Sequence, residues 1–580
     1  MNLHKLLPVI LFSFLFVRTV AAQKTAEDYY SSGMAKSVSN DQKGAIADFN
    51  NSIALDSSYA EAYKGRGLAK SASGDNDGAL YDFNKAINLK PAMSEAIYNR
   101  GNVKYTMSDK RGALTDYKSA LALNPTYSTV YFNRAVTKSD LGDKLGALSD
   151  YDSSLVYNTN DEEIYTNRGE VKSELGDMQS AIADFNKAIE IEPQFPRAYY
   201  DRGRSKYFAG DKQGAIIDYL EAIDLKPDYA EAFLNLGVIK NELGDKLEAI
   251  ADYSEAIKLK PDFEFAYYNR GTVKVALNDL QGAISDFNIA IQLNPNSFEA
   301  FTGRGSALSR LGDNQKAIAN YTEAIKLKPD LEIAYNNRGI VKVALNDLQG
   351  AISDFNVAIR LNPNSFQAVN SRGSALLTLG DKQKAIEDFS KAIIINPKCA
   401  LPYTNRGMAL SGLGRKQDAL NDLNKAIEIE PASAKAYYAR GNFENNSGNY
   451  KEAIADFDKA IMLNPVDAFA YNDRACAKYS IGDNQGAIFD FSKVIEINPK
   501  LENAYSGRAI AKIRLKDFQG ALSDCSKAIE LKPNESGMTY FARGLAKYNL
   551  KDHDGSCNDF NKAYELGFTK SLEFIEKYCK

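Results

Sequence analysis

The side chains able to do chemistry in this 580-residue chain are mostly charged, and they recur at fixed intervals. Histidine is nearly missing: only His4 and His553 occur. A chain with so little imidazole is a poor candidate for histidine-ligated metals or for Ser-His and Cys-His nucleophiles. We therefore assign no catalytic residue, no metal ligand and no cofactor. Arginine and aspartate carry the pattern instead. Arg66, Arg100, Arg134, Arg168 and Arg202 stand 34 residues apart, and an aspartate follows each by 16, as in Arg270 and Asp286. Two such series can neutralise each other as a structural ion pair or present a ladder to a charged ligand. Near-equal numbers of both signs favour the pair, with Arg270–Asp286 as its representative.

The spacing belongs to a repeat. A proline closes most units, from Pro91, Pro125 and Pro193 to Pro499 and Pro533, always 34 residues or a multiple apart. With that proline at position 32, sixteen units begin at Ala26, Ala60, Ser94 and so on to about Gly537. Position 8 is Gly or Ala throughout, position 20 is Ala in all but the last unit (Ser556), and position 24 is a ring in 14 units. Small residues opposite rings make an interlocking core. Two stretches of helical periodicity flank a Gly-Asp turn, as at Gly74-Asp75 and Gly142-Asp143. Glycine ends the first helix, aspartate caps the second and the proline stops it. These aspartates never gather several carboxylates into one loop, so calcium is not indicated.

Arginine occupies position 7 in 14 units and aspartate position 23 in 15. In a hairpin turning at position 15 the two face each other. Lysine occupies position 11 in 12 units, commonly with Gly at 19. Its stem is expected to lie across the hairpin with a solvated charge. Leu308 with Lys316, and Leu376 with Lys384, exchange these roles. The units starting at Glu264 and Glu332 are nearly identical, as if length itself had been extended by duplication.

This pattern resembles the tetratricopeptide repeat: ring at 4 (Tyr63, Tyr131, Tyr199, Phe233), Gly at 8, Ala at 20, ring at 24, Ala at 27 and Pro at 32. The resemblance is to a long, uninterrupted array of an exported bacterial type. It implies an all-α fold, a right-handed α-solenoid (superhelix) of about 16 helix-turn-helix repeats over residues 26–567, with the first helices lining the concave face. A C-terminal capping helix is expected over 568–580, where Leu572, Phe574, Ile575 and Tyr578 could cover the open end. The arginine at 7 and the aspartate at 23 depart from the commonest family pattern. So does the absence of the family's carboxylate-binding set, since Lys64 is followed by Leu68 where Asn is needed.

Residues 1–22 read as a signal peptide: a short basic start, an apolar run over Leu6–Val17 and Val20-Ala21-Ala22 before the cut. The expected location is exported: periplasm, outer-membrane-associated or secreted, with no integral membrane span after cleavage. Removing it leaves 69 basic against 75 acidic residues, a net charge of −6, with no basic block for nucleic acid. Five cysteines remain; Cys525 fills a ring position, and Cys557 and Cys579 are the candidate disulfide.

Where could a partner sit? Positions 2, 5, 9, 12 and 13 of each first helix form the stripe away from the core. Unit six offers Arg197, Tyr200, Arg204, Tyr207 and Phe208; unit three offers Tyr98, Asn102 and Tyr105; unit four offers Phe132. Rings with arginine suit a protein or peptide hot spot, although packing between adjacent helices would also use them. The function expected is a non-enzymatic interaction scaffold binding a peptide or protein along its groove; the alternative is a structural spacer or assembly component of an envelope complex.

Overall fold

The computed structural model describes residues 24–533 and 536–579. The proposed signal segment, 1–22, lies outside the described residues. Thirty-three helices, α1 (Ala26–Val38) to α33 (Ser571–Tyr578), and no strand occur among the described residues. They fall into two compact units, 24–273 and 274–579, each an all-α solenoid segment of stacked helix pairs.

The pair α3 (Ala60–Ala72) and α4 (Asn76–Leu89) shows why the repeat folds. Gly74 has φ of +84°, which reverses the chain after α3. The Asp75 carboxylate then accepts from the Gly78 N–H and caps α4. At the far end Lys90 leaves the helical region (φ −138°, ψ 86°), as the residue before Pro91 tends to, and α4 stops. Between the helices a methyl group on Gly67 would stand 2.9 Å from the Phe83 ring, so the small residue sets the approach of α3 to α4. The core thus consists of alanines and rings buried pair by pair.

One polar contact runs through that core. Asp82 is fully buried and accepts from Arg66 through Nε (2.8 Å) and Nη2 (2.6 Å). The third arginine nitrogen, Nη1, reaches back to Asn50 Oδ1 in the preceding repeat at 2.7 Å. The guanidinium also lies 5.4 Å from the Tyr63 ring centre. Lys70 Nζ completes the site, 2.8 Å from Asp82 Oδ2. This corrects the expectation of a solvated lysine at position 11. Its stem does cross the hairpin, but the charge ends on the buried carboxylate, again in Lys104–Asp116, Lys138–Asp150 and Lys478–Asp490.

The same clamp recurs in both units, as in Arg202–Asp218 and Arg474–Asp490. Arg270 belongs to the first unit, where it donates to Ser254 Oγ at 2.9 Å and covers the Tyr267 ring. Asp286 belongs to the second, buried beside Lys274 Nζ at 2.8 Å.

Repeats that lack a clamp member are adjusted. In α13 (Ala230–Leu243) Leu236 replaces the arginine; Asp252 keeps only Lys240 at 2.9 Å, and burial pushes its carboxyl above the usual carboxylate range. In the repeat with Leu308 at position 11, the aspartate is itself replaced by Asn320, which accepts from Arg304 Nε at 2.7 Å. The displaced Lys316 pairs with Asp313 on the surface.

The last pair, α31 (Gly537–Asn549) and α32 (His553–Glu565), is closed by α33. That helix starts later than residue 568, because Gly567 at φ +86° and the Ser571 hydroxyl on Phe568 O occupy the turn. Phe574 packs on Phe541 (4.9 Å between ring centres) and Phe560 (5.6 Å), and Tyr578 on Tyr548 (4.5 Å). Cys557 and Cys579 form a disulfide with Cα atoms 5.5 Å apart, 22 residues apart in sequence. Cys525 is buried as a core filler, and Cys399 and Cys476 are free thiols.

Two predictions concern these contacts. Arg66→Leu and Asp82→Asn should each destabilise α4 by about 3 kcal/mol, since each strands a buried group, with coupling above about 1 kcal/mol in the double variant. Hydrogen exchange of the α4 amides reads this; additive losses would show that the two side chains do not act as a pair. Cys579→Ser should raise exchange in α33, by up to about 3 kcal/mol of lost protection from a loop of this length. Exchange in α3 and α4 should not change.

Candidate functional site

Positions outside the clamp and core are free to differ between repeats, and in the first unit they build a chemically distinct face. It is carried by α5 (Ser94–Thr106), α7 (Ser128–Asp140), α9 (Glu162–Glu174), α11 (Pro196–Phe208) and α13. Pro196 opens α11 at its first position, where no N–H is needed.

The most charged point is on α11. Arg197 reaches across to α9, donating to Glu163 (3.2 Å), Asn167 (3.3 Å) and Glu170 (3.0 Å). It is therefore a bolt between repeats. Beneath it lies Asp201, 4% exposed, on a position where most repeats carry Asn, Gly or Ala. Its carboxylate is 3.5 Å from Arg197 and 3.6 Å from Arg204. Burial outweighs these two cations, with Glu170 adding to it, and pushes the carboxyl up to about 6. Arg204 has weaker ties. Among the described residues its guanidinium meets acids only at 3.6 Å, on Glu170 and Asp201, and makes no hydrogen bond.

The rings around Arg204 are held from behind. Tyr207 donates to Glu242 at 2.6 Å, and Tyr200 accepts from Asn235 at 3.1 Å. Tyr200 also packs on Tyr229 (4.8 Å) and Tyr219 (5.7 Å). Phe208 meets the Tyr207 ring edge-on at 5.4 Å and is 64% exposed. Between α11 and α13 these groups enclose a cavity of about 170 Å³, completed by Val238 and Ile239.

An equivalent cavity of about 200 Å³ lies between α5 and α7, lined by Asn102, Tyr105, Thr106, Tyr117, Asn133 and Thr137. Tyr105 donates to Asp140 at 2.7 Å, Tyr98 accepts from Asn133 at 2.8 Å, and Asn102 accepts from Tyr117 at 2.8 Å. The Asn102 carbonyl oxygen, which Asn133 also reaches at 3.1 Å, is thereby engaged within the chain. Tyr98 packs on Tyr127 and Phe132 on Tyr151, so those two rings serve contacts between helices. The structure thus brings Tyr200, Arg204, Tyr207 and Phe208 into one cavity and gives Arg197 to the scaffold. Sequence reasoning missed Asp201, Tyr219, Asn235, Val238 and Ile239. The replacement of the commoner Asn by Asp at position 6 was a readable signal for the first; the others sit at ordinary repeat positions.

The repeats match family profiles. Family profiles described as tetratricopeptide repeat or TPR repeat match residues 162–195, 200–262, 266–297, 305–345, 336–398, 401–433, 434–466 and 470–501, together more than half of the chain. No curated protein matches. Similar solved structures include the APC/C hetero-tetramer Cut9–Hcn1 (15% identity, 85% of this chain and 96% of that one, TM-score 0.40). Yeast Tom70 has 20% identity over 74% of this chain and 96% of that one, TM-score 0.36. A tetratricopeptide repeat protein from Parabacteroides merdae has 24% identity over 43% and 98%, TM-score 0.35.

Asp201 gives the face a pH signature. A carboxyl raised in the folded chain contributes stability that is complete below about pH 4 and is lost as pH rises through about 6. Asp201→Asn should stabilise α11 at pH 7.5, on the order of 2 kcal/mol, and have little effect at pH 4. Hydrogen exchange of α11 at both values reads the difference; an equal effect at both would place the titration elsewhere.

Proposed function

The chain is a tetratricopeptide repeat protein, and on that premise we propose that it is a non-enzymatic scaffold that binds a protein or peptide on the α11–α13 face of its first unit. The observation that carries this reading is the preformed cavity of Tyr200, Tyr207 and Phe208 around an arginine without a hydrogen bond. Rings fixed before binding lose little entropy on contact, and arginine among aromatics is the composition of interface hot spots. Repeats of this family generally act as interaction modules rather than catalysts. Among the described residues no helix is long and apolar enough to cross a membrane. The leader-like residues 1–22 support export, to the periplasm, the outer membrane or the medium, and so a partner in those compartments.

A second reading rests on one observation. The near-identical repeats at Glu264 and Glu332 point to duplication that added length, as in a structural spacer of an envelope assembly.

An affinity capture from envelope and culture fractions separates the two. Residues 23–580 serve as bait, with Tyr200→Ala/Tyr207→Ala/Phe208→Ala as the control. A protein held by the wild type and lost with the control is the expected result. The same partners on both baits would remove the interface from this face, and no partner would favour the spacer.

A further inference from the structure

The cavity between α11 and α13 has a nearly identical counterpart between α5 and α7, and the differences between the two define what the first can hold. Both are lined by a tyrosine at positions 12 and 24 and by an asparagine at position 6 of the following repeat, and both repeats carry a tyrosine at position 5. In both, the position-12 hydroxyl is tied to an acid, Tyr207 to Glu242 and Tyr105 to Asp140. Three residues change: Asn102 becomes Arg204, Thr106 becomes Phe208, and Thr137 becomes Ile239. The α5–α7 cavity carries polar side chains at these three positions, and the Asn102 carbonyl oxygen is taken up by Tyr117 and Asn133. The α11–α13 cavity has apolar side chains at two of them and, at the third, a cation that makes no hydrogen bond among the described residues.

An apolar wall accepts a bulky apolar side chain, and a volume of about 170 Å³ accommodates one ring. A guanidinium with unused donors beside that wall calls for an anion, and its planar fork matches a carboxylate. Arg204 meets Glu170 of α9 and Asp201 of its own helix at 3.6 Å, while the cavity it lines opens between α11 and α13. The anion must therefore arrive from the cavity side, together with the apolar group. Further open pockets of the same register lie towards the N-terminus, one lined by Ser139, Asn167 and Glu174. A chain can thus continue past the site, which favours an internal segment over a chain end.

We propose that this cavity binds an extended peptide segment in which an aromatic residue adjoins an aspartate or glutamate. The ring enters between Tyr207, Phe208 and Ile239, and the side-chain carboxylate pairs with Arg204. The inference rests on the scaffold reading above.

The chain contains no tryptophan, so a tryptophan-bearing probe reports binding without background. The probes are acetylated, amidated hexapeptides with a central Trp-Asp or Trp-Asn, and a third ending in a free C-terminal Trp. The expected result is saturable quenching or blue shift with Trp-Asp, and affinity about tenfold weaker or worse with Trp-Asn. Arg204→Asn, which installs the residue of the counterpart cavity, should bring both internal probes to the same weak affinity. Phe208→Thr, at an exposed ring, should weaken both by a similar factor. Unchanged melting of both variants keeps these losses assigned to the site.

Equal binding of Trp-Asp and Trp-Asn, or full affinity in Arg204→Asn, would overturn the role of the carboxylate. Binding of the free-terminus probe alone would overturn the internal segment. No binding up to about 1 mM would overturn the proposal, as would a concentration-dependent dimer lost in Phe208→Thr, which would make a second copy the occupant. If these fail while the affinity capture still finds a partner sensitive to the triple variant, only the peptide chemistry falls.

Discussion

A buried aspartate recurs in nearly every repeat, and its charge has to be satisfied before anything else in the hairpin can pack. A lone carboxylate in such a place would cost several kcal/mol. Arginine answers it with two parallel hydrogen bonds and lysine with a third contact, on the oxygen that Nε also reaches, as around Asp82. The arginine does more than neutralise. Its remaining nitrogen reaches position 25 of the preceding repeat, as Arg66 does to Asn50 and Arg372 to Asn356. Where it does so, the guanidinium fixes both the hairpin it belongs to and the register of that hairpin on its neighbour. Apolar packing of alanines and rings supplies the burial but is less directional; the fork of the arginine is what selects one register.

The chain carries its own tests of this clamp. Where the arginine is missing, at Leu236, the aspartate remains and its carboxyl is pushed up by burial, with Lys240 alone to oppose it. Where the lysine is missing, at Leu308, the aspartate has gone too, and Asn320 needs only the arginine. Where Leu376 replaces the lysine but Asp388 stays, Arg372 holds it through both nitrogens. Of these three repeats only the one with Leu308 changes on both sides; at Leu236 and at Leu376 the aspartate stays and keeps one cation, so no carboxylate is left unmatched.

Because the clamp and the small-residue contacts use only some positions, the rest of each first helix is released from structural duty. The α11 face exploits that freedom. Asp201 and Arg197 are polar groups spent on the scaffold, with Arg197 crossing to α9. Arg204 is the one left facing a cavity whose rings are fixed by hydrogen bonds at their far ends. Specialisation here needs no new element, only three changed side chains on an architecture already present between α5 and α7.

The family, the helix pairs, the turns and the closing proline were all legible in the sequence, because each depends on local rules: periodicity, left-handed glycine, capping aspartate and the constraint before proline. The facing of positions 7 and 23 was legible too, since hairpin symmetry is counted along one chain. What the tertiary structure alone decided are the contacts that skip between repeats or end on a shared atom. The lysine at position 11 looked solvated because its stem had to cross the hairpin, and only the position of Asp82 Oδ2 shows where the charge ends. The link from Arg66 to Asn50 joins residues 16 apart in different hairpins, which no single-repeat pattern displays. On the α11 face, composition grouped Arg197 with Arg204, and geometry separated them. One is saturated by α9 and the other is not, a difference of direction in space that residue type and spacing do not encode.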